Sequence, residues 1–161
     1  MAKREKTVAQ KMVETMDGGE ASFQEKMAIV SLFAYALASL FFSGVLWQVD
    51  KQNGSWEGAG VLGLLLGMAA IISTAHIGGA IWAAVTNIED AKAAADERDW
   101  RIRARAGHAR SIMMSGLLAI FVGSYFFGAT AETLVKGMLV AFLAGGVVAN
   151  GAKVYLYRSG L

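Results

Sequence analysis

Charged residues in this chain fall in blocks, and long apolar runs separate the blocks. No Asp, Glu, Lys or Arg lies between Lys26 and Asp50, from Gly58 to Ile88, from Ser111 to Ala131, or from Gly137 to Ala152. These runs are 23, 31, 21 and 16 residues long. A helix needs about 20 mostly apolar residues to cross the hydrocarbon core. The first three runs reach that unaided. The fourth reaches it if Lys136 and Lys153 snorkel to the interfaces. The pattern predicts an all-α bundle of four transmembrane helices, at about 27–49, 58–85, 111–131 and 133–157. Together with a helical loop at 86–110 they make a membrane domain over 22–161, preceded by a separate segment 1–21. A β-barrel would need short segments of alternating polarity, and Val61-Leu62-Gly63-Leu64-Leu65-Leu66 does not alternate. A soluble bundle would show a polar face on every helix, and these runs lack one.

Composition agrees. Of the 161 residues, 55% are hydrophobic and 17% charged, against roughly 45–50% and 25% in soluble domains. There is no cysteine and no proline. The first absence excludes a disulfide framework and any thiolate site. The second suits unbroken helices.

The placement of Lys and Arg predicts orientation. Thirteen of the fifteen lie before the first run, between the second and third, or after the fourth. Only Lys51 and Lys136 lie on the other side. Both termini and the middle loop are therefore expected in the cytoplasm. Trp47 and Trp56 would anchor the outer interface, and Trp82, Tyr155 and Tyr157 the inner one. The first run exceeds the 7–15 residues of a signal h-region, so a retained helix is expected.

Residues 2–16 suit an interfacial amphipathic helix, with Val8, Met12, Val13 and Met16 on one side and Lys3, Arg4, Lys6 and Lys11 near the other. Ser22-Phe23-Gln24-Glu25 fits a capping box that starts the first helix near Phe23. Thr86-Asn87-Ile88-Glu89 offers a second box. Acids come early in the middle loop and bases late, as the helix macrodipole favours. Glu97–Arg101 and Asp99–Arg103 are spaced as i,i+4 ion pairs. Trp100, Arg101, Arg103, Arg105 and Arg110 form a candidate contact surface for lipid phosphates or a protein partner. Clustered arginines of this kind match no nucleic-acid-binding motif, so direct nucleic-acid binding is not expected.

Asp96-Glu97-Arg98-Asp99, with Ile102, resembles the Asp-Glu-Arg-(Asp/Glu)-x-x-Ile pattern of a widespread prokaryotic family of small four-helix membrane proteins of unknown function. Ser22-Phe23-Gln24-Glu25-Lys26 resembles that family's entry into its first helix. His76-Ile77 with Ala80-Ile81 resembles the exit from its second, and Tyr157-Arg158-Ser159-Gly160 resembles its C-terminal end. Trp100, Arg101 and Arg103 depart from the apolar or acidic residues usual there. The resemblance implies a prokaryotic cytoplasmic-membrane protein without assigned chemistry. Members of that family are often encoded beside a helix-turn-helix regulator, so the resemblance suggests a regulatory pairing.

Inside the membrane, His76 is the one ionisable residue well away from the ends of the runs. Centring each helix places Ser31, His76, Ser115 and Asn150 in one polar layer, with Tyr35 just above. His76 could be hydrogen-bonded glue between helices, or a ligand to haem or a chlorophyll-like pigment. A metal site is not expected, since zinc needs three or four ligands. Small residues recur every four positions, including Gly63, Gly67 and Gly79 in the second helix and Ala141, Gly145 and Ala149 in the fourth. Such ridges predict that these two helices pack on each other or form a homodimer face. No catalytic set is legible: there is no Ser-His-Asp grouping, phosphate loop or His-Glu-x-x-His. The sequence thus points to a non-enzymatic accessory or regulatory membrane subunit. Its expected partners are membrane lipids and either a protein or a second copy. A His76 cofactor protein and a small transporter or channel are the alternatives.

Overall fold

The computed structural model describes residues 22–51, 58–86, 88, 92 and 96–159. The expected amphipathic helix at 2–16, the Trp56 anchor and Gly160 lie outside the described residues. Among the described residues, four long helices follow one another: α1 (Phe23–Lys51), α2 (Gly58–Thr86), α3 (Glu97–Phe126) and α4 (Ala131–Arg158). All four are long and apolar enough to cross a membrane, as expected of a multi-pass membrane protein.

The boundaries have local causes. The Ser22 hydroxyl accepts the Glu25 N–H at 3.2 Å and opens α1 as expected. The Glu25 carboxylate turns to Arg158 instead of closing the box, at 3.1 Å. Thr86 is the last residue of α2, and its hydroxyl donates to the carbonyls of Trp82 and Ala83. The box expected at Thr86-Asn87-Ile88-Glu89 includes Asn87 and Glu89, which lie outside the described residues. The complete capping box is Asp96–Asp99, in which each side chain accepts the other residue's N–H, and it starts α3. The third helix therefore begins well before 111 and stops at Phe126, short of 131. A Schellman turn ends it: Ala129 N–H bonds Ser124 O, Gly128 N–H bonds Tyr125 O, and Gly128 takes φ +94°. Thr130 then caps α4 through the Thr133 N–H.

The helices stand in an open row, in the order α2, α1, α4, α3. Close packing joins α1 to α2, α1 to α4 and α3 to α4. The shared core lies among α1, α2 and α4, around Ala38, Phe42, Leu64, Met68 and Leu143. α3 packs closely on α4 and buries only Ile102 and Ala106.

Small residues set these contacts, though not the pairing expected from the ridges. α2 and α4 are not a closely packed pair. Gly67 and Gly79 of α2 receive Phe41 and Val30 of α1. Gly146 of α4 receives Tyr35 of α1. Gly137 and Gly145 of α4 receive Phe121 and Met114 of α3. Each glycine is a socket for one large side chain, because a Cβ would occupy the space that side chain fills. Ala141 and Ala149 are buried on α4. Gly63 is exposed and a Cβ there would meet nothing, so it faces out from the row.

Candidate functional site

The start of α1, the end of α2, the start of α3 and the end of α4 meet at one end of the row, the basic end. Side chains knit them together. Glu25 pairs with Arg158. The Arg103 guanidinium donates to Gln24 Oε1 at 2.8 Å. Tyr157 Oη donates to Asp99 at 2.8 Å, and Arg98 donates to the Tyr157 carbonyl at 3.0 Å. Lys26 donates to the Thr86 hydroxyl at 3.0 Å and lies 5.7 Å from the Trp82 ring. Ser22–Lys26, Asp96–Asp99 and Tyr157–Arg158 are far apart in sequence and converge here. The expected Glu97–Arg101 pair forms at 4.0 Å on the surface. Asp99–Arg103 does not form: Asp99 is committed to Tyr157 and to the Asp96 N–H, and Arg103 to Gln24.

The structure divides the candidate contact surface between two sides of α3. Trp100, Arg101 and Arg105 are exposed, with His108 beside them, and face away from α4. Trp100 is 63% exposed. Arg103 and Arg110 are half-buried, one heptad apart, on the side toward α4. The Arg110 guanidinium lies 5.6 Å from the Phe142 ring, and its Nε is 3.4 Å from Met114 Sδ.

Deeper in the row, a belt of rings and polar groups crosses all four helices. Arg110 of α3 lies over Phe142 of α4, whose ring is 5.9 Å from Tyr35 of α1. Tyr35 is edge-on to His76 of α2 at 6.5 Å. His76 Nδ1 lies 2.7 Å from the Ile72 carbonyl and Nε2 lies 2.9 Å from the Ser31 hydroxyl. A carbonyl only accepts, so Nδ1 carries the proton, and in the neutral ring Nε2 accepts from Ser31. Both nitrogens are therefore engaged. An axial bond to haem or a pigment would have to take Nε2 from Ser31. Among the described residues, no three His, Asp or Glu side chains group as a metal-binding set.

Two members of the expected polar layer meet, Ser31 and His76. Asn150 is buried in α4, donating to the Gly146 carbonyl at 2.8 Å and accepting from Lys153 at 3.4 Å. Ser115 is exposed on α3, away from the layer. The seam contacts Tyr157–Asp99 and Gly145–Met114 put buried Ala106, not Ser115, at the height of Asn150. Sequence centring failed here because it took α3 to start at 111. Of the belt's aromatic links, Tyr35 was placed just above the layer by the same centring, whereas Phe142 carried no sequence signal distinguishing it from other apolar residues.

Comparison with family models, curated proteins and solved structures finds no match to this chain.

Proposed function

We propose that this chain is a non-enzymatic membrane protein, an accessory or regulatory subunit that works through protein contacts. In this reading it lies in a prokaryotic cytoplasmic membrane, with both termini and the connection between α2 and α3 inside. Its Lys and Arg distribution supports the orientation, and the Asp96–Asp99 resemblance supports the prokaryotic setting.

One observation carries the contact reading: the polar face of α3 reaches unusually deep. Gly145 and Gly146 are neighbours on α4, one against Met114 and Arg110 and the other against Tyr35. Arg110 thus stands at the height of Tyr35, twelve residues into α1, or about 18 Å at 1.5 Å per residue. Over that height α1 shows residues such as Phe33 to the outside, whereas α3 shows Trp100, Arg101, Arg105 and His108. Only Ser111–Phe126 of α3 is free of charge, about 24 Å of helix against roughly 30 Å of hydrocarbon. Lipid tails would strip water from this face at high cost. A partner of complementary polarity would satisfy it, and the exposed indole of Trp100 is suited to an interface.

Affinity purification from native membranes tests the reading. A partner should be retained by the wild-type chain and by Lys51→Glu at the opposite end. It should be lost when Arg101 and Arg105 are both changed to Glu. Unchanged retention in that double variant would sink the assignment of the face.

A further inference from the structure

Arg103, Arg110 and Lys153 gather at the α3–α4 seam, and among the described residues none of them forms an ion pair with a carboxylate. All three are half-buried. Arg103 donates to the neutral Gln24 amide and lies 5.5 Å from the Trp100 ring. Arg110 rests on Phe142 and Met114. Lys153 Nζ donates to Asn150 Oδ1 at 3.4 Å. The seam contacts Tyr157–Asp99 and Gly145–Met114 place Lys153 between the heights of Arg103 and Arg110.

Of the nearby acids, Glu25 pairs with Arg158 and Glu97 with Arg101, while Asp99 accepts from the neutral Tyr157 hydroxyl and offsets part of the Arg103 charge. Three like charges withdrawn from water repel one another and lose hydration, so a bound anion would offset both costs. Two guanidinium groups and an ammonium suit a phosphate, whose oxygens accept several charge-assisted bonds.

The setting favours a phosphate carried by a lipid. α1 and α3 are not closely packed on each other; Arg103 reaches Gln24 near the basic end, and α4 lies between the two helices. Val135, Phe142 and Lys153 share one stripe of α4 at helical spacing, edged by buried Gly146 and Asn150. The stripe is polar toward the basic end. Toward the opposite end it is apolar, with Val135 42% and Phe142 36% exposed. This amphipathic order matches a head group and its acyl chain.

We propose that Arg103, Arg110 and Lys153 hold the phosphodiester head group of an anionic membrane lipid at the α3–α4 seam. The proposal rests on the membrane placement of the row. It does not rest on the protein-partner reading, which uses the opposite side of α3.

Native mass spectrometry of the full chain in detergent tests it, with dioleoyl phosphatidylglycerol and dioleoyl phosphatidylcholine as probes. The wild-type chain should retain phosphatidylglycerol at least about tenfold better, the scale of one charge-assisted hydrogen bond. R103Q, R110Q and K153Q should each weaken that preference, and the triple variant should abolish it. Circular dichroism should show the same helix content in each variant; K153Q alone, bearing no ring contact, gives the cleanest single test. R101Q/R105Q should leave the preference unchanged. Full retention by the triple variant would overturn the site. An equal loss in R101Q/R105Q would overturn it in favour of diffuse surface charge. Displacement of the lipid by excess inorganic phosphate would overturn the lipid assignment.

Discussion

Gly146 should tolerate a methyl group less well than any glycine on the outer face of α3. It is buried in α4, and a Cβ there would run into Cδ1, Cε1 and Cγ of Tyr35. Those atoms are the near side of a ring, not the end of a flexible chain. The ring cannot swing freely, because Phe142 flanks it at 5.9 Å and His76 at 6.5 Å. Overpacking of this kind costs about 1–3 kcal/mol. Against it stands the roughly 0.5–1 kcal/mol by which alanine favours a helix over glycine. Gly146→Ala should therefore destabilise the fold by about 1–2 kcal/mol. Gly116→Ala keeps only the favourable part, since a Cβ there meets nothing. It should be neutral or stabilising by up to about 1 kcal/mol. Reversible unfolding in mixed detergent micelles, followed by circular dichroism, would measure both. Tyr35→Ala should absorb part of the Gly146→Ala cost, so the double variant would be less impaired than the sum of the singles. Equal effects at Gly146 and Gly116, or strict additivity with Tyr35→Ala, would refute the socket.

Ser31→Ala removes the hydroxyl that His76 Nε2 accepts from and should cost roughly 1 kcal/mol; the same unfolding assay reads it, and Ser115→Ala, on an exposed face, should cost nothing measurable. Asp96→Ala should cost about 1 kcal/mol as a lost N-cap and speed hydrogen exchange at the amides of the first turn of α3. The chain has no cysteine, so paired cysteines report contacts without background. Val30→Cys with Gly79→Cys should form an internal disulfide, whereas Gly63→Cys with Gly145→Cys should not, because Gly145 faces Met114 of α3 and Gly63 faces outward.

Hydrophobic pattern revealed the helices well because lipid-facing segments must exclude charge, and four charge-free runs leave little freedom. It was weakest where a helix carries both classes of surface. α3 is one unbroken helix whose first half is charged, so a rule that reads spans from missing charge starts it at Ser111. The better signal was Asp96-Glu97-Arg98-Asp99, an acid at the cap and another three residues on. Gly128 and Thr130 likewise announce the turn that the unbroken apolar run conceals. The shared depth of His76 and Ser31 was legible because both residues lie in long spans with well-placed centres. The order of helices in the row was not legible. A glycine ridge says that something approaches closely but not which helix supplies the side chain, and here Tyr35, Val30 and Phe41 of α1 fill sockets on both α2 and α4. The joining of the three end segments at the basic end follows from that order, because α1 and α4 lie side by side and bring Glu25 to Arg158.

The central claim is that the outward face of α3 is a protein contact surface and the rest of the row faces lipid. Site-directed photo-crosslinking in living cells tests it most directly, with the reactive residue placed at Trp100 or His108 on α3 and at Ile77 or Ile81 on α2. All four positions are exposed. The α3 positions should yield one discrete protein adduct that disappears when Arg101 and Arg105 are changed to Glu, and the α2 positions should yield none. No adduct from α3, or the same adducts from both helices, would contradict the account.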